Sequence, residues 1–338
     1  MSDTQTETRC EFIGEPLPDI AGIGIIVGFA GQAVLSLCLA LWAFFLSKRG
    51  RLQVVHEEGS VEREIESKLI EFVSDVLMIG NDFQMLLGIA YMINTFTMSD
   101  TIDLYHLHLI FDIVSFVGVS NAAALVCWSI AAAKVTSLDS KYRSHRQGQN
   151  RVSLFSPRHR ATYLFAAMFL ALTILLGVRL NEWAPDAEPG RCYDSHLLTS
   201  PSAGHPHADL VYVGCTAAWM LAVMGGAAFM PFWRHKWLLT AAFLQFPVHF
   251  YSMVVMRVAN GDKLKSDGEG ENGWDFGQTT AVLLLALAFQ ELLKKGLQFR
   301  RVRKELLATG GRQEHRKGSE TEQFSSSERR AEEGQLQS

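Results

Sequence analysis

The stretch LYHLHLIFDIVSFVGVSNAAALVCWSIAAA, residues 104–133, constrains this chain more than any other. It is apolar almost throughout and as long as a tilted membrane-spanning helix. Its first third nevertheless carries His106, His108 and Asp112. Residues three and four apart share a helix face, so His108, Asp112 and Ser115 line up. A carboxylate in a bilayer costs roughly 2.5–3.5 kcal/mol on insertion scales, so Asp112 has to face protein or water. Further spanning helices are needed to cover that face.

The rest of the chain supplies them. Residues 20–46 carry no charge, and Gly24, Gly28 and Gly31 form a small-residue stripe suited to close helix packing within the monomer. Lys48, Arg49 and Arg51 follow. Residues 52–75 are charged, with Ile65, Leu69 and Phe72 at helical spacing, which predicts an amphipathic lead-in helix on the membrane surface. A second span over 76–98 is interrupted by Asn81, Asp82 and Gln84. After the 104–133 span come runs at 161–180, 210–232, 237–258 and 276–293, which makes seven.

The loops alternate in charge in phase with these spans. Residues 134–160 hold seven Lys/Arg against the single acid Asp139. Two other loops, residues 181–209 and 259–275, hold ten acids against three basic residues. Basic residues near the membrane belong in the cytosol. The expected topology therefore has the N-terminus outside and the C-terminus cytosolic, with 18 membrane-proximal Lys/Arg inside against 4 outside. Trp42, Trp128, Trp233 and Trp237 then fall at inner ends and Trp183 and Trp274 at outer ends, as in an aromatic belt. The fold class expected is all-α: a polytopic seven-helix bundle over residues 20–304. It follows an extracytoplasmic segment, 1–19, with no cleavable signal pattern, and precedes a polar tail, 305–338, expected to be disordered.

Five cysteines are too few for a disulfide framework. Cys10 and Cys192, however, both fall outside the apolar runs and on the outer side, where disulfides persist. They are expected to bond and to staple the N-terminus over the second outer loop.

At 1.5 Å per residue, Asp112 lies roughly 12 Å inside the outer end of its span. His249 lies at nearly the same depth in the sixth, on a polar face with Gln245 and Ser252, and beside Pro247. Tyr91 stands at a comparable depth in the second span. The expected site is a cavity open to the outside and lined by Tyr91, His108, Asp112, Ser115, His249 and Ser252. Ser115, Ser252 and Gln245 equally suit plain interhelical hydrogen bonding. His106 is expected at the interface, Arg257 snorkelling to headgroups, and Glu291 paired with Lys294 or Lys295. His196, His205 and His207 match no metal-site spacing, and no cofactor is expected.

Several chemistries lack their motifs. There is no HExxH, no G-x-S-x-G and no Walker A loop, and the run 276–293 holds no lysine for a retinal Schiff base. The third span ends Ala131-Ala132-Ala133-Lys134 rather than Asp-Arg-Tyr, and Asn-Pro-x-x-Tyr is missing from the seventh.

Two stretches carry a resemblance. Pro18-Asp19-Ile20-Ala21-Gly22-Ile23-Gly24 follows Cys10 into the first span, and Asp82-Phe-Gln84-Met-Leu-Leu-Gly88-Ile-Ala90 precedes Leu104-Tyr105-His106. Over residues 10–133 the chain resembles a broad family of fungal multi-pass membrane proteins, to which no single activity attaches. The resemblance implies a similar number of spans and, since some members lie beside specialised-metabolite genes, a pathway-associated role. The function expected is that of a non-enzymatic, receptor- or sensor-like protein taking a small ligand from outside. Loop 134–160 and the tail would meet cytosolic partners or anionic lipid, and no nucleic-acid partner is expected. The alternatives are an intramembrane cyclase or isomerase with Asp112 as general acid and a proton-coupled carrier using the Asp112–His249 pair.

Overall fold

The computed structural model describes residues 10, 13–46, 60–138, 157–185, 190–195, 199, 203–229, 235–264 and 270–335. Lys48, Arg49, Arg51, most of the basic 134–160 loop, His196, Trp233, Asp267 and Glu269 lie outside the described residues. All regular structure among them is helical. After a single turn, Pro18–Ala21, seven long helices follow: α1 (Ile23–Leu46), α2 (Val61–Thr97), α3 (Leu104–Leu138), α4 (Pro157–Leu180), α5 (His207–Phe229), α6 (His235–Asn260) and α7 (Phe276–Gln335). Each contains a stretch long and apolar enough to cross a membrane.

Local chemistry starts the helices where they start. Ser60 caps α2 by accepting from the Arg63 amide at 3.3 Å, with Glu62 and Glu64 in the first turn. Asp103 caps α3 by accepting from the His106 amide at 2.8 Å, and Asp275 does the same for Gln278 of α7 at 3.0 Å. Gly22 separates the opening turn from α1. A Cβ there would lie 2.2 Å from the Gln278 side chain, whose carbonyl instead accepts from the Gly24 amide at 2.9 Å.

The glycine stripe of α1 packs where the sequence expects, inside the monomer. A Cβ at Gly28 would meet the backbone of Ala281 at 2.8 Å, and one at Gly31 would meet Leu285. Without side chains there, α1 and α7 approach closely. At the centre stands α3. Nearly every described residue from Leu104 to Val126 is fully buried, so α3 is enclosed on every side rather than along one face.

One expectation is corrected. The 52–75 lead-in is not a separate surface helix, because from Val61 it runs straight into the second span as the 37 residues of α2, about 55 Å long. Its apolar face is taken by protein: Phe72 stacks on Phe299 of α7 at 5.8 Å and meets Trp42 of α1 edge-on at 6.2 Å. α7 itself runs on past residue 305, to Gln335. Residues 305–338 hold no proline and are rich in Glu, Ser, Gln and Arg, a composition too polar to form a core.

One end of the bundle carries a cap made of segments distant in sequence. Cys10 and Cys192 are joined by a disulfide, with Cα atoms 6.0 Å apart. The Ile13 amide donates to Lys263 at 3.2 Å and the Leu104 amide to Gly190 at 2.9 Å. Asn260 clasps Asp194 both ways, accepting from its amide at 2.8 Å and donating to its carbonyl at 2.7 Å. The Gly277 amide donates to Asp19 at 2.9 Å. Gly190 has φ +84°, and a Cβ there would press on Asp103 at 3.0 Å, so this position requires glycine. The cap joins the chain before α1, α3, α5 and α7 to the chain after α4 and α6. Successive helices therefore run in opposite directions across the bundle.

Candidate functional site

Beneath the cap, polar side chains of α3, α5 and α6 meet in three tiers. The upper tier centres on His106, which has no exposed surface. Its Nδ1 lies 2.7 Å from Asp103 Oδ2 and its Nε2 lies 3.1 Å from Glu271 Oε1. A ring with a carboxylate at each nitrogen donates to both as imidazolium. Tyr105 donates to Glu271 at 3.3 Å, and Arg257 Nε lies 3.4 Å from the same carboxylate while its NH2 donates to Asn272 at 2.8 Å. His106 is enclosed by protein and Arg257 is turned toward it, because Glu271 folds in from the loop before α7 and gathers both.

In the middle tier, His108 Nδ1 lies 2.7 Å from the Tyr193 hydroxyl and 3.9 Å from Asp209 Oδ1. Asp209 sits in the first turn of α5, where the helix terminus favours a negative charge, and Ser195 donates to its other oxygen at 3.3 Å. Burial holds the Tyr193 hydroxyl well above the ordinary phenol range, and the Asp209 and Asp112 charges raise it further. Tyr193 therefore stays a neutral donor.

The lower tier is the pair expected from depth alone. His249 Nδ1 lies 2.7 Å from Asp112 Oδ1, and neither side chain is exposed. Tyr212 of α5 donates to the same oxygen at 2.8 Å. On the far side of the imidazole, the Gln245 amide nitrogen lies 3.4 Å from Nε2 and also donates to Thr216 at 3.0 Å. The Asp112 carboxylate places the His249 hydrogen on Nδ1, and Gln245 then donates to a bare Nε2. Pro247, between Gln245 and His249, leaves the Phe243 carbonyl without its usual intrahelical donor.

Of the six residues expected to line one cavity, His108, Asp112 and His249 are brought together. Ser252, one turn beyond His249, stands beside the Tyr212 hydroxyl. Ser115 turns back to donate to the Phe111 carbonyl of its own helix at 2.8 Å. Tyr91 is elsewhere: its hydroxyl donates to the Ile20 carbonyl at 2.8 Å, closing the turn before α1. The expected opening is also corrected, since His108, Asp112 and His249 have no exposed surface and Tyr193, next to the disulfide, closes on His108.

Sequence reasoning missed Asp209, Tyr212, Tyr193 and Glu271. Asp209, Tyr212 and Thr216 share a face of α5, a helical spacing readable from the sequence. Tyr193 follows the cysteine expected to pin the loop. Glu271 gave no signal among the loop acids around it. His205 and His207 face each other at 5.4 Å, and among the described residues no group of three or more His, Cys, Asp or Glu is placed to hold a metal. Comparison of the chain with protein-family models, with curated proteins and with solved structures gave no match in any of the three.

Proposed function

We propose that the chain is a seven-span integral membrane protein of receptor or sensor type that binds a small ligand beneath its cap. In this reading the cap and N-terminus face away from the cytosol and the far end of α7 lies within it. The basic segment 134–160 and the α7 extension are the parts that meet cytosolic partners or anionic lipid. The alternation of loop charge and the disulfide in the cap support that orientation.

One observation carries the functional reading. The buried Asp112–His249 pair lies one tier from His108, and His108 is met by a tyrosine, Tyr193, of the loop that a disulfide ties to the N-terminus. A ligand that comes to the pair past His108 has to displace Tyr193. Binding is thereby linked to the position of the cap and, through Asn260 and Gly190, to the ends of α6 and α3. Binding is favoured over acid–base catalysis because both nitrogens of His249 already have partners, Asp112 and Gln245.

Two experiments test this. Epitope tags near residues 5 and 195 should be reached from outside intact cells, and tags near 150 and 325 only after permeabilisation. Positions 150 and 195 in one compartment would overturn the topology. A small-molecule screen by thermal stabilisation of the purified protein should yield compounds whose effect is lost in Asp112→Asn and His249→Gln. Compounds that stabilise both variants as much as wild type would overturn the site.

A further inference from the structure

In the two lower tiers the polar atoms left over are four acceptors and one hydroxyl, Ser252 Oγ, which can also donate. Asp112 Oδ2, Asp209 Oδ1, His108 Nε2 and Gln245 Oε1 are buried and accept no hydrogen bond. His108 belongs with the acceptors because its Nδ1 faces both the Tyr193 oxygen and the Asp209 carboxylate. That environment places the hydrogen on Nδ1 and leaves Nε2 bare. Four unmet acceptors therefore occur within two adjacent tiers. The donors there face partners already: Tyr193, which accepts from His108 Nδ1, turns its own hydrogen toward the Asp209 carboxylate, Tyr212 donates to Asp112, and the Gln245 amide donates to Thr216.

Charge points the same way. Asp112 and Asp209 stand on facing helices, and among the described residues neither is ion-paired with a lysine or arginine. Two buried carboxylates with no lysine or arginine beside them call for a positive charge. Aromatic rings line the same region: the His108 ring lies 5.6 Å from both Tyr193 and Tyr212 and 6.2 Å from Phe111. Ring faces attract cations. The two long loops on the cap side hold ten acids against three basic residues, a field that draws cations toward the cap.

We infer that the ligand of this site is a small organic cation with an ammonium head, seated between Asp112 and Asp209 once Tyr193 swings away. An ammonium offers three donors and no acceptor, the complement of what the cluster leaves unmet. The inference rests on the ligand-binding reading above and narrows it to a chemical class.

The test uses the full chain in lipid nanodiscs at neutral pH, with n-butylamine and 2-phenylethylamine as probes. Their neutral isosteres, 1-butanol and 2-phenylethanol, and sodium chloride at matched ionic strength are the comparisons. Either amine should raise the melting temperature saturably, while the alcohols and sodium leave it unchanged. Apparent affinity should fall about tenfold or more in Asp112→Asn and in Asp209→Asn, and stay unchanged in Tyr91→Phe. The Asp209 variant serves if the Asp112 variant does not fold. Equal stabilisation by the alcohols, lost in Asp112→Asn, would overturn the cationic class and leave the ligand site standing. Stabilisation by sodium alone would replace the organic cation with an inorganic one. Amine effects that persist in both acid variants, or no effect of any amine, would overturn the inference.

Discussion

At the level of single residues, the interior polar groups are bound to each other tightly enough to be measured. Removing one partner of a buried pair leaves the other without compensation, whereas interhelical hydrogen bonds in membranes average about 0.6 kcal/mol and reach about 1.7. Because Asp112 and His249 meet at 2.7 Å with Tyr212 on the same oxygen, their coupling should lie at the upper end. A double-mutant cycle with Asp112→Asn and His249→Gln should give about 1–2 kcal/mol, and additivity within about 0.3 kcal/mol would show that the pair is not coupled. Tyr193 gives a second expectation, with a sign fixed by its raised pKa. As pH rises past about 10 the unfolded chain loses the phenol proton first, so stability contributed below that pH declines above it. Unfolding midpoints measured from neutral to alkaline pH should fall more steeply in wild type than in Tyr193→Phe. The height match of Asp112 and His249 was legible because helical rise converts sequence position into depth. Glu271 and Tyr193 were not, because a loop has no period and its path depends on contacts made by the whole fold.

Among the elements, α1 and α7 show how little space a close helix contact leaves. A Cβ on Gly28 would stand 2.7 Å from the Ala281 side chain and 2.8 Å from backbone that cannot step aside. Gly28→Val should therefore cost about 1–3 kcal/mol. Gly214, on α5, has nothing within 4 Å of the same position. Gly214→Ala should be neutral or stabilise by up to about 1 kcal/mol, since alanine has less backbone entropy to lose in a helix. Thermal or denaturant midpoints of the two variants would then move apart, and equal loss in both would contradict the packing described. The small-residue stripe itself was plain in the sequence. Its partner was not, since Ala281 and Leu285 look like any other apolar residues of a spanning helix. The merger of the lead-in with the second span escaped for a related reason: the apolar face of residues 61–75 suits a membrane surface and a neighbouring helix equally well.

For the molecule as a whole, the cap is the part that the chain ties covalently. The disulfide spans 182 residues of sequence, and cross-links of this kind contribute typically about 2–4 kcal/mol. Cys10→Ser should lower the melting temperature correspondingly. Denatured, unreduced protein should show three free thiols, Cys38, Cys127 and Cys215, and five after reduction. Five before reduction would remove the staple. Span number was readable because apolar length is summed over many residues, so that no single position decides it. The cap's internal clasp was not readable, since Asn260 and Asp194 resemble dozens of other loop-end polar residues until the chain brings them together.

The enclosure of α3 sets an order of events during synthesis. His249 is made 137 residues after Asp112. At a translation speed of about 5–20 residues per second, that interval is roughly 7–27 s. Through it the aspartate, with α1 and α2 already made, waits for its own partners on α5 and α6, beside lipid or the insertion machinery. Nascent chains truncated before α6 should accordingly hold α3 loosely in the bilayer and be retained or degraded, and those extended past residue 260 should not.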